Sequence, residues 1–182
     1  MKYYLVALFD DESYKAIEPI QKSLSKRYRL YKNLPTLHIT LDIIEDPDIN
    51  KLDEVLNKML KPYKKFKVEL MDMMYFDEPH KSLNIKVESK GYIKRLARSI
   101  NENLKLHGFN VKTAPEVPNL QLSLLNINFP PREWNKNDLL KGHNLPKREG
   151  FNKMPKISRI EVWKATNNKK ETVVKSYPLK FF

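Results

Sequence analysis

The chain has no cysteine. That excludes a disulfide framework, a thiolate metal site and a cysteine nucleophile. Long apolar runs are missing too, and nothing approaches the roughly 18 residues a spanning helix needs. The opening MKYYLVALFDDES has no small-residue cleavage site and meets two aspartates after a short apolar stretch. It reads as a strand rather than a signal peptide. No membrane association is expected, and a cytoplasmic location is the default. Acidic residues are scarce relative to basic ones, with 22 Asp and Glu against 34 Lys and Arg, a formal balance of +12.

That excess is the first functional pointer. Basic residues gather in KSLSKRYRLYK (22–32), KPYKKFK (61–67), KGYIKRLAR (90–98) and the segment 132–156. A field of this sign favours polyanions, nucleic acid foremost, through release of condensed counterions. The 182 residues, 41% hydrophobic, are enough for one domain with a real core rather than a disordered chain.

Apolar periodicity organises the chain. YYLVALF (3–9) is a buried strand, followed by helix-capping chemistry at Asp10, Asp11 and Ser13 and a stripe of Ile17, Ile20, Leu24 and Tyr28. After Pro35, LHITLDII (37–44) is a strand. A helix follows Asp48 or Asn50, with Leu52, Val55, Leu56, Met59 and Leu60 on one face. FKVELMDMMYF (66–76) reads as one long strand and SLNIKVE (82–88) as the next. Ile93, Leu96, Ala97, Ile100 and Leu104 mark a third helix ending at Gly108. LQLSLLNI (120–127) is a strand, residues 128–156 are a long surface loop, and ISRIEVWKA (157–165) and ETVVKSYPL (171–179) form a hairpin about TNNKK. The order βαβαβ–βαβ–ββ is an α+β arrangement.

One pattern repeats. Pro35-Thr-Leu-His38-Ile-Thr40-Leu41 and Pro118-Asn-Leu-Gln121-Leu-Ser123-Leu124 share P-x-L-[H/Q]-x-[T/S]-L. Strand alternation puts His38 and Thr40 on one face against Leu37, Ile39 and Leu41, and Gln121 and Ser123 on one face against Leu120, Leu122 and Leu124. Two related halves would thus place equivalent polar pairs in one cleft.

With these motifs in this element order, the chain resembles the two-histidine phosphoesterase superfamily, in particular its 2′-5′ RNA ligase-like (LigT-like) branch. The resemblance covers the first strand, PTLHITL, FDEPHKSLNIKVE and IEVWKATNNKKETVVKSYPL. It implies a single bilobal domain over residues 1–182, built by internal duplication, with two pseudo-symmetric lobes of antiparallel sheet flanked by helices about a basic cleft and residues 128–156 as an insertion. It implies opening or closing of phosphodiesters at RNA or nucleotide ends, a 2′,3′-cyclic phosphate foremost, by a monomer without metal or cofactor. The ligand would be RNA or a nucleotide with a cyclic or terminal phosphate.

Carried over by position, His38 and Thr40 form the first motif, Ser123 supplies the second hydroxyl, and Gln121 stands where the family has a second histidine. An amide cannot exchange a proton near pH 7. A second register would set Asn119 opposite the histidine and Gln121 opposite the threonine, but the spacing from proline then differs between halves. Two functions therefore stay open: a weakened hydrolase or transferase acting on cyclic-phosphate or 2′-5′-linked RNA ends, by hydrolysis or by 2′-5′ ligation or cleavage, with His38 as its only proton carrier, and a non-catalytic binder of nucleotides or RNA ends. His80, His107 and His143 read as structural or solvated, with His143 a candidate replacement acid. Tyr31, Trp134 and Trp163 read as packing residues that could stack on a base.

Overall fold

A continuous apolar run makes Lys2–Phe9 strand β1, buried on both faces from Leu5 to Phe9, with Leu5, Ala7 and Phe9 directed into the main core. The computed structural model describes residues 1–28, 34–77, 82–88, 90–112, 120–126, 153–165 and 171–181. Helix α1 (Asp11–Tyr28) starts where the Asp10 carboxylate accepts from the Ser13 backbone N–H at 2.8 Å, an N-cap that satisfies one orphan donor. Ile17, Ile20 and Leu24 are buried as expected, while the Tyr28 side chain lies outside the described residues. Helix α2 (Ile49–Leu60) is capped by Asp48, which accepts from Asn50 and Lys51, and buries Leu52, Leu56 and Leu60. Helix α3 (Gly91–Leu106) buries the whole expected stripe, and Gly108 after it takes φ 82°, a left-handed conformation that suits glycine.

The remaining strands are β2 (Ile39–Glu45), β3 (Phe66–Lys67), β4 (Leu70–Asp77), β5 (Ser82–Val87), β6 (Asn110–Val111), β7 (Gln121–Asn126), β8 (Lys156–Ala165) and β9 (Glu171–Pro178). The α+β class expected from the sequence is the one observed. The nine strands among the described residues join in one sheet of order β3-β8-β1-β2-β7-β5-β4, with β6 on β2 and β9 on β8, and each of these pairs is antiparallel. The strands of the two halves are thus continuous with one another, meeting where β2 pairs with β7.

Two elements differ from the sequence reading. FKVELMDMMYF is two strands, because the chain changes partner midway: Phe66 pairs with Ile157 in β8, whereas Leu70 pairs with Val87 in β5. Between them Val68 and Leu70 donate their N–H groups to the Pro155 and Lys153 carbonyls. The two residues separating β3 from β4 can span only about 10 Å, so the sheet curves until its opposite ends come close. Strand β6 has two residues, too few to leave a periodic pattern. Of the expected 128–156 loop, residues up to 152 lie outside the described ones, and Lys156 already belongs to β8. The TNNKK turn is also outside them, although Ala165 pairs with Glu171 as the hairpin requires.

The helix stripes and one face of the sheet share a single core that includes Leu5, Ile39, Ile85, Leu122, Ile160 and Val162. The other face carries a separate small cluster of Val6, Leu8 and Trp163, with Tyr4 beside it. No described helix is long and apolar enough to cross a membrane.

Candidate functional site

Burial decides which way the motif side chains turn. Leu37, Ile39, Leu120, Leu122 and Leu124 are within 2% of full burial in the helix-covered core, so alternation turns His38, Thr40, Gln121 and Ser123 to the opposite face. Ile39 is registered against Leu122 across the antiparallel β2–β7 pair. One step either way sets Thr40 beside Gln121 and His38 beside Ser123. All four are half-buried. The four residues singled out from the sequence therefore share one face of adjacent strands, His38 lying one residue ahead of the first residue of β2.

His38 is held on two sides. Its Nδ1 lies 2.8 Å from the Thr36 carbonyl oxygen. A carbonyl only accepts, so Nδ1 carries the proton and Nε2 of the neutral ring is left as an acceptor. The ring meets Trp163 edge-on, with centroids 4.6 Å apart and planes at 61°. Burial lowers the His38 pKa below its ordinary 6.5, and the bond to Thr36 opposes that without cancelling it. Trp163 is itself buried and fixed by Glu161, whose carboxylate accepts from Trp163 Nε1 at 2.6 Å, Arg159 Nε at 2.8 Å and Ser176 Oγ at 3.4 Å. It packs rather than offering an open stacking surface.

The other half of the face is built differently. The Tyr75 hydroxyl, from β4, donates to Gln121 Oε1. No described residue accepts from Gln121 Nε2. Lys86 is registered directly across from Gln121, exposed, with no carboxylate partner among the described residues. Asn84 is registered across from Ser123 and fully buried. Its Nδ2 donates to Ser82 Oγ at 2.9 Å, and its Oδ1 has no partner among the described residues. Sequence reasoning missed Tyr75, Asn84, Lys86 and Glu161. Only the polar positions in SLNIKVE signalled two of them, since Asn84 and Lys86 alternate with Leu83, Ile85 and Val87.

His107 is exposed at the C-terminal end of α3, with Nδ1 on the Asn103 carbonyl, and takes no part in this face. His80, His143, Tyr31 and Trp134 lie outside the described residues. The exposed cations Lys22, Lys26 and Arg27 on α1, and Lys94, Arg95 and Arg98 on α3, sit on the outer side of the helical layer. A hollow of about 340 Å³ lined by Pro62, Tyr63, Tyr92 and Arg95 lies between the ends of α2 and α3, away from His38. Its lining has two phenols and a guanidinium but no imidazole or carboxylate. Among the described residues, no three His, Asp or Glu side chains gather to hold a metal ion.

Residues 9–122 match the family model of the 2′-5′ RNA ligase superfamily, a span that includes His38 and Thr40 and ends one residue past Gln121. The chain belongs to that superfamily. Among solved structures it is similar to E. coli LigT complexed with 3′-AMP, at 12% identity over 98% of this chain and 97% of that one, with a TM-score of 0.63. LigT has also been solved with phosphate. TT0787 of Thermus thermophilus is similar at 16% identity over 99% and 98% of the two chains, with a TM-score of 0.63. A comparison with curated proteins returns no match. At these identities the structural likeness speaks for the fold, a LigT-like two-histidine phosphoesterase fold.

Proposed function

We propose that the face carrying His38, Thr40, Gln121 and Ser123 binds the phosphate of an RNA or nucleotide end and slowly opens a 2′,3′-cyclic phosphodiester. The observation that carries this is the Ile39–Leu122 register, which sets the repeated polar pairs side by side. Superfamily membership and the LigT complexes with 3′-AMP and phosphate support the ligand class. His38 Nε2 takes a proton from water, the water oxygen bonds to phosphorus, and one bond from phosphorus to a ribose oxygen breaks. The Thr40 and Ser123 hydroxyls, the Gln121 amide and the Lys86 ammonium hold the charge that grows on the non-bridging oxygens. Gln121 gives no proton, so the departing ribose oxygen takes one from solvent. The like placement of β1–α1–β2 and β5–α3–β7 supports one bilobal domain made by duplication.

A second reading, a binder without turnover, is favoured by the amide at position 121, since a held amide binds an anion as well in the ground state as in the transition state. Incubation with adenosine 2′,3′-cyclic monophosphate separates the two. Release of a nucleoside monophosphate that stops in His38→Ala supports the enzyme, and tight binding without any product supports the binder.

A further inference from the structure

We infer that Tyr75 is a positioning residue that fixes Gln121 as an anion donor, deepening the phosphate-site reading on which this rests. A free glutamine side chain presents its oxygen and its NH₂ group to a cleft about equally, and the oxygen repels a phosphate. Here the choice is made by a neighbour two strands away. Tyr75 is on β4 and Gln121 on β7, with β5 between them. The two side chains together bridge about 9–10 Å from β4 to β7, the phenol hydroxyl meeting Gln121 Oε1. Because the phenol O–H donates, the bond occupies the amide's oxygen and leaves both Nε2 hydrogens for a ligand. Lys86 stands next to that amide on β5. The crossing ring also accounts for the full burial of Asn84, which lies on β5 opposite both Tyr75 and Ser123.

The consequence is an asymmetric site. On one side a neutral imidazole, its tautomer set by Thr36, takes a proton. On the other, an amide with its oxygen capped and an ammonium without a carboxylate partner among the described residues hold charge without exchanging a proton. Such a half-site favours a ligand in proportion to the negative charge on its phosphate. A terminal phosphomonoester, which carries nearly two charges at neutral pH, should bind more tightly than the singly charged cyclic diester. Tyr75 contributes to this through Gln121 and not by touching the phosphate.

Titration calorimetry with adenosine 3′-monophosphate tests it on the full chain, in the wild type, Tyr75→Phe, Gln121→Ala and the double variant. Loss of one orienting hydrogen bond should weaken binding about tenfold in Tyr75→Phe. The double variant should bind no more weakly than Gln121→Ala alone, because the two residues act in series. In ¹H–¹⁵N spectra the Gln121 side-chain amide signals should shift on nucleotide addition in the wild type and respond far less in Tyr75→Phe, a readout that general loss of stability does not mimic. Tyr75→Phe binding as tightly as wild type would overturn the inference while leaving the phosphate site intact. So would an equal loss in the Gln121→Ala background, which would make Tyr75 a direct contact. If the wild type fails to bind the nucleotide, the phosphate-site reading falls and this inference with it.

Discussion

Ile39 and Leu122 face one another as the only registered pair between β2 and β7 among the described residues, and through it the two halves of the sheet become one. Both side chains are fully buried. Their neighbours on the opposite face are the polar residues of the repeated motif, so a core contact sets the geometry of the proposed site. A second tie backs the same junction from the helix side, where Asn101 Nδ2 of α3 donates to Asp42 Oδ2 of β2 at 2.7 Å with both residues buried.

The lowered pKa of His38 gives a pH signature in stability and in rate. The folded state holds the proton less tightly than the unfolded chain, whose histidine titrates near the ordinary 6.5. Stability tied to His38 is therefore fully present above about pH 6.5 and is lost as pH falls through the lower folded-state value. Melting curves at pH 7.5 and 5.5 should show a larger loss in the wild type than in His38→Asn. The rate of cyclic-phosphate opening should likewise fall on one acidic limb, with an apparent pKa below that of free histidine. A His38→Asn variant with the same acid sensitivity as wild type would refute the assignment.

Tyr177 ties β9 to α2 through a hydrogen bond to Asp53 Oδ1 at 2.8 Å. Burial, reinforced by the Asp53 carboxylate, pushes its phenol well above the usual 10, so it stays a donor throughout the working range. Tyr177→Phe removes the hydroxyl alone and should cost about 1.5–3 kcal/mol, the range for bonds to charged groups. The lower end is expected, because Asp53 keeps Asn57 and Lys175 as partners. Urea unfolding measures it, and an unchanged midpoint would show the bond to be energetically silent.

Much of this was legible beforehand because burial wrote it into the sequence. The stripes of α2 and α3 and the Leu-His-Ile-Thr-Leu alternation are direct records of one buried face. What stayed hidden depends on which strands become neighbours. Nothing local in FKVELMDMMYF announces that Phe66 and Leu70 will join opposite ends of the sheet, and nothing in Tyr75 points to Gln121, 46 residues away. The role of Glu161 was only half readable: Arg159 and Trp163 share its face of β8 by alternation, but Ser176 reaches it from β9 only after the hairpin closes.

If the cationic excess serves RNA, affinity for a short single strand should fall linearly on a logarithmic salt scale, with a slope of roughly −0.7 per phosphate neutralised. The placement of the α1 and α3 cations on the outer helical side sharpens the expectation. Lys86→Ala should lessen the slope by about one such step, whereas Lys94→Ala should change it less. Filter binding from low to moderate salt would decide, and a flat salt profile would remove nucleic acid as the reason for the charge.

The most informative substitution is Gln121→His. On the proposed reading, Gln121 stands where a second imidazole would protonate the departing ribose oxygen, and its amide cannot do so. Histidine is close in volume, and the side chain is half-buried on the open face of β7, so the core pair beneath it at Leu122 is undisturbed. Folding should survive. The Tyr75 phenol oxygen can accept from one N–H of the charged ring, leaving the other N–H to carry the proton toward the ligand. Restoring a positioned acid should raise turnover of a 2′,3′-cyclic mononucleotide by up to about 10²–10⁴-fold. The pH–rate profile should then gain a basic limb and become bell-shaped, because His38 must be neutral and the introduced imidazole must be charged. Adding Thr40→Ala should lower the rate again by removing a hydroxyl from the developing charge. A folded Gln121→His protein that binds the nucleotide yet turns over no faster than wild type would show that the face has lost more than its acid. The reading as a binding protein would then replace the enzymatic one.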